Sequence, residues 1–157
     1  MTYHESIIDL ISYILKQGKP YLDLIDSGNA YDKIIRNYHQ FNYEGKKVYR
    51  NKTLIKIHYR ISKEAYNKIN DFSSIYFEHV YPVKLLKEEL KMLQKRTVTH
   101  EKIKLIMNKS EIVVLTREQA KYLDKYYKDK IPKNGNDRLQ EMEIEIHGLT
   151  KNNNLFN

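Results

Sequence analysis

The chain has 157 residues, 41% of them hydrophobic and 31% charged, a balance of a folded globular chain rather than a disordered one. Cysteine is absent, which excludes a disulfide framework, a zinc knuckle and a thiol nucleophile. The net charge of +8 is uneven: residues 45–109 carry sixteen Lys/Arg against six Asp/Glu, residues 1–44 four against six, and residues 110–157 eight of each.

Residues 4–16 place Ile7, Ile8, Leu10, Ile11, Ile14 and Leu15 at three-to-four residue spacing, which predicts an amphipathic helix. Gly18 and Pro20 end it. Asp9, Lys16 and Gly18 make it too short and polar for a signal peptide or a membrane span, so a cytoplasmic protein is expected. A short helix is expected over 21–26, and a third over 30–41 with Tyr31, Ile34, Ile35 and Tyr38 inward. The stretch 53–60, TLIKIHYR, alternates with period two and predicts a strand. Ser62 is placed to cap a helix over 63–70. SIYFEHVY at 74–81 predicts a second strand, stopped by Pro82. Val83, Leu86, Leu90 and Leu93 define one face of a helix over 83–95, with Pro82 at its start. Thr99 is placed to cap a helix running to Met107, EIVVL at 111–115 predicts a short apolar strand, and Thr116 with Gln119 forms a capping box. Residues 132–136 predict a loop, and EMEIEI at 141–146 alternates as an edge strand. The order implies an α+β fold, with an N-terminal helical layer followed by a small mixed sheet and packed helices. One domain over 1–149 and a frayed tail over 150–157 are expected.

The basic middle segment makes a field that attracts polyanions, so DNA, RNA or a nucleic-acid-containing protein complex is the expected partner, with no membrane. The same richness in Lys, Asn, Ile and Tyr fits an AT-rich genome, but that bias does not account for flanks that are acidic on one side and net neutral on the other. Tyr43, Tyr49 and Tyr59 are interleaved with Lys46, Lys47, Arg50, Lys52, Lys56 and Arg60. Rings that stack on bases among cations that follow phosphates are what a single-stranded nucleic acid requires. The same tyrosines also suit ordinary strand positions. Lys84, Lys87, Lys91 and Lys95 form a stripe opposite the leucine face of helix 83–95 and run into Arg96, a second candidate phosphate-contact surface.

None of the six histidines lies in an HxxxH or HExxH spacing, and the chain has no Gly-rich phosphate loop and no Gly-x-Ser-x-Gly elbow. The group Phe77-Glu78-His79-Val80-Tyr81-Pro82 resembles the first element of the ββα-metal (HNH-type) nucleases. That resemblance implies Glu78 as a ligand of Mg2+ or Mn2+, His79 as the general base that activates water, and Asp124 or Glu118 as a second ligand. The sequence departs from the family in lacking its Asn or His on the following helix, in a long linker from Pro82 to Glu111, and in lacking cysteines. A different reading of the same residues makes His79 a hydrogen-bonded core residue on one face with Ile75, Phe77 and Tyr81, and Glu78 a surface charge. Two functions therefore stand side by side. One is a nucleic-acid binder that includes a metal-dependent nuclease site. The other is a non-enzymatic phage or mobile-element protein that docks its basic surface on a nucleic-acid-processing host defence complex and inhibits it.

Overall fold

A computed structural model describes residues 1–93 and 96–148. Three helices come first: α1 (Tyr3–Gln17), α2 (Lys19–Ser27) and α3 (Ala30–Gln40). Thr2 and Glu5 close a capping box on α1. Gly18, with φ +89°, stands between α1 and α2 in a backbone conformation that L side chains avoid. The chain continues through α4 (Lys52–His58), β1 (Arg60–Ile61), α5 (Lys63–Tyr66), β2 (Ile75–His79), α6 (Val83–Met92), α7 (His100–Met107), β3 (Ile112–Thr116), α8 (Arg117–Tyr127) and α9 (Arg138–Glu141). This is an α+β fold with the helices leading.

One core unites the helical layer. Ile7, Ile11 and Ile14 of α1 meet Tyr31, Ile35 and Tyr38 of α3, Leu86 and Leu90 of α6, and Ile103 and Met107 of α7. The α6 leucines and the α1 stripe are thus the helical faces their spacing predicts. The sheet has the order β1-β3-β2, with β1 parallel and β2 antiparallel to β3. All five residues of β3 are buried, as a strand covered on both faces requires. Ile112 and Val114 pack with Ile55, Tyr59, Ile61 and Ile75, whereas Val113 and Leu115 pack with Leu123 of α8 and Leu139 of α9.

Two predicted strands are corrected. Residues 53–60 are mostly α4, because the Asn51 side chain accepts the Leu54 N–H at 3.1 Å and starts a helix. The buried residues are then Ile55 and Tyr59, four apart, while Ile57, which alternation would place beside them, is 46% exposed. Only Arg60 and Ile61 pair as strand. Residues 141–146 are likewise no strand. Asp137 and Gln140 form a capping box that starts α9, and Glu143 takes φ 54°. A single bridge, Ser62 to Ile146, lays the following segment along β1. The helix after Ser62 stops at Tyr66, four residues short of its expected end, although Ser62 does cap it through the Ala65 N–H. The expected tail at 150–157 lies outside the described residues. Among the described residues no helix is long and apolar enough to cross a membrane.

Strand β2 occupies one edge of the sheet. Ser74 accepts the Arg117 N–H at 3.3 Å, and the Val80 N–H donates to Glu111 at 3.0 Å. Even-numbered residues therefore turn their backbone groups toward β3, and Ile75, Phe77 and His79 turn theirs to the open edge.

Candidate nucleic-acid interface

Glu78 and His79 are consecutive strand residues, so their side chains leave opposite faces of β2. His79 goes inward and is 5% exposed. Its ring meets that of His39 edge to face, with centroids 5.2 Å apart at 82°. The His39 Nε2–H donates to the Met107 carbonyl at 2.9 Å, while His79 Nε2 has no partner among the described residues. Burial, then the neighbouring His39, Arg36 and Arg138, hold the His79 pKa well below its ordinary value. Burial likewise brings His39 down to about 4. Both rings are neutral at physiological pH.

Glu78 is held by Arg138. The Arg138 side chain is fully buried, and its guanidinium also donates to Val80 O at 2.9 Å, to Tyr127 O at 2.7 Å, to Lys128 O at 3.4 Å and to His79 O. Burial pushes the Glu78 carboxyl upward, and Arg138 pulls against that rise. Arg138 thus ties the end of β2 to the C-terminus of α8, an anchoring role that nothing in the local sequence announces.

Glu78, His79 and Asp124 line one groove of about 240 Å3, together with Arg36, Lys84 and Lys128. Glu118 is not among the residues lining it; it sits exposed in the first turn of α8, where its carboxyl is held low by hydrogen bonds at the helix N-terminus. This donor set does not fit the Mg2+ or Mn2+ that the nuclease resemblance implies. The Glu78 carboxylate is already paired with a buried guanidinium, His79 leaves the opposite face, and no group of three His, Asp or Glu among the described residues is placed to hold a metal. The reading of Glu78 as a plain surface charge needs correction as well, since its side chain is only 13% exposed.

The predicted basic residues divide. Lys46 pairs with Glu44 at 2.7 Å and Arg60 with Glu111 at 2.5 Å. Lys47 and Arg50 both lie over the Tyr49 ring, at 5.6 and 5.4 Å, Lys52 lies over Phe72 and Lys56 over Tyr66. The α6 stripe is corrected. Lys87 bridges Asp26 and Asp32 at 3.1 and 2.8 Å, and Lys91 reaches Asp26 at 2.6 Å, so these lysines clamp α6 to α2 and α3 rather than waiting for phosphate. Lys95 lies outside the described residues, and Arg96 is exposed just ahead of α7. Tyr59 is an inward core residue whose hydroxyl donates to His39 O at 2.9 Å, and it is not available for stacking.

A different surface collects what a polyanion needs. Along the open edge of β2 runs a cleft of about 280 Å3 lined by Arg36, Arg50 and Arg117 with Tyr49, Phe72, Tyr76 and Phe77, and His79 on its inner wall. No carboxylate lines it. Arg36 makes no ion pair among the described residues, and Arg117 is anchored through Nε to the Ser73 carbonyl. Tyr49 packs on Phe77 with centroids 4.5 Å apart. Arg36 escaped the sequence reading because it sits in the acidic first third, and Arg117 because it lies inside a capping box. Only the tertiary fold joins them to Arg50. Comparison of the chain with protein-family models, with curated proteins and with solved structures found no match.

Proposed function

We propose that the protein binds nucleic acid through the arginine and aromatic cleft beside β2, and that it holds the strand without cutting it. The observation that carries this reading is the convergence of Arg36, Arg50 and Arg117 around Tyr49, Tyr76 and Phe77 in a cleft with no acidic lining. Guanidinium groups pair with phosphate in a planar fork, and aromatic rings stack on bases. Lys47 and Lys52, at the rim beside Tyr49 and Phe72, extend the positive field. The metal-dependent nuclease loses support from the Arg138–Glu78 pair. Docking of the lysine stripe on a host defence complex loses support from the Asp26 and Asp32 contacts, which occupy Lys87 and Lys91.

Gel-shift and cleavage assays on one sample test both halves. The full chain should retard DNA or RNA at low salt, and incubation with Mg2+ or Mn2+ should leave the strand intact. Nicking that disappears in His79→Ala and in chelator would overturn the non-catalytic half. Absence of any retardation would overturn the binding half.

A further inference from the structure

We infer that the cleft is built for an unpaired base, so that the preferred ligand is a single strand rather than a duplex. The inference rests on the nucleic-acid reading above and adds the class of ligand. The cleft, at about 280 Å3, lies near the lower end of small-ligand sites. That size suits one base with its sugar, not the width of a double helix.

The wall of the cleft is an open strand edge, where Arg138 occupies the His79 carbonyl and the polar groups of Phe77 are unused. Val114 turns its carbonyl toward β1, where it accepts the Ser62 N–H at 2.9 Å. Its neighbour Phe77 therefore aims its own N–H and C=O outward, and the described residues supply no hydrogen bond to them. Buried next to this edge is His79 Nε2, also without a partner. A buried polar atom left unpaired in the free protein is costly, and a ligand that satisfies it binds with that cost relieved. The backbone of Phe77 offers an N–H and a carbonyl oxygen at this edge, and the neutral ring of His79 lies buried behind it with Nε2 unpaired. The Watson–Crick edge of a base carries complementary donors and acceptors, and only an unpaired base exposes them. Tyr49 provides the ring for its face, and Arg36 and Arg50 stand where the flanking phosphates would pass.

The test is fluorescence anisotropy with a labelled 12-nucleotide strand and with the same strand annealed to its complement, each as DNA and as RNA. The wild-type chain should bind the single strand about tenfold or more tighter than the duplex. Tyr49→Ala should remove most of that preference, and Tyr49→Phe should keep it. Equal affinity for strand and duplex would overturn the inference while leaving nucleic-acid binding in place. Failure to bind any of the four would overturn the reading beneath it. Because Tyr49 packs on Phe77, Tyr49→Ala could unfold the site. Photo-crosslinking of wild-type protein to a 5-iodouridine strand provides an independent readout. Adducts at Tyr49, Tyr76 or Phe77 support the proposal, and adducts confined to other peptides overturn it.

Discussion

Replacing Arg138 with alanine should cost the fold about 3–5 kcal/mol, because it leaves a buried carboxylate without its partner. The same change strips four backbone carbonyls, those of Val80, Tyr127, Lys128 and His79, of their donor. Domains of this size are stable by only about 5–15 kcal/mol, so Arg138→Ala should lie near the unfolding threshold. Arg138→Lys should recover little, since one ammonium cannot reproduce a planar set of donors aimed at several acceptors. Glu78→Gln should be milder than Arg138→Ala, because the amide oxygen and the backbone carbonyls still accept from the guanidinium, although its positive charge then stays buried without a counter-charge. Urea denaturation of the variants at neutral pH measures all of these. Wild-type stability in Arg138→Ala would show that the buried pair does not anchor β2 to α8.

Acidification should destabilise the protein well before carboxylates in general are protonated. His39 and His79 are neutral and buried, and both carry pKa values depressed below the ordinary 6.5. For His39, between that value and about 4, the unfolded chain takes up a proton that the native ring refuses, and the depressed His79 acts in the same direction. The contribution of both is therefore fully present above pH 6.5 and is lost as the pH falls below it, through about 4 for His39. A displacement from 6.5 to about 4 at His39 corresponds to about 3 kcal/mol. His4, also depressed by burial, acts in the same sense. The raised carboxyl of Glu78 acts in the opposite sense and blunts the fall. Denaturant midpoints should drop clearly between pH 7.5 and pH 4.5, and His39→Gln, which cannot titrate, should flatten the profile. A wild-type midpoint that does not change over this range would contradict the buried, neutral pair.

Local signals were the legible part of this fold. Ser62, Thr99 and Thr116 each cap the helix that their position announces, and each does so through a hydrogen bond reaching only three residues along the chain. The α+β order follows from those signals and from the apolar spacing between them. Where two periods fit the same residues, pattern alone misleads. Leu54, Ile55, Ile57 and Tyr59 satisfy both an alternating and a helical reading, and the Asn51 cap decides the matter. EMEIEI alternates as well, yet the Asp137 capping box claims its first residue for α9. The site was least legible because its partners are distant in sequence. Arg138 meets Glu78 from 60 residues away and Lys87 meets Asp26 from 61, so one candidate ligand became half of a buried ion pair and one candidate phosphate contact became a clamp. Tyr49 and Arg50 were recognised from their interleaving, whereas Arg36 and Arg117 reach the same cleft from helices whose local sequence shows only amphipathicity and a cap.

The central claim, that the β2 cleft carries nucleic-acid binding, is tested most directly by a salt titration of strand affinity for the wild type and for Arg36→Ala/Arg50→Ala/Arg117→Ala. Each cation that meets a phosphate contributes roughly 0.7 to the slope of log affinity against log salt for a single strand. The triple variant should therefore bind weakly at low salt and show a slope shallower by about 2, with a melting temperature lowered only slightly, because all three side chains are exposed and the losses to the fold are the Arg117–Ser73 hydrogen bond and the Arg50–Tyr49 contact. The same affinity and the same slope in both proteins would place the phosphates elsewhere and contradict the account.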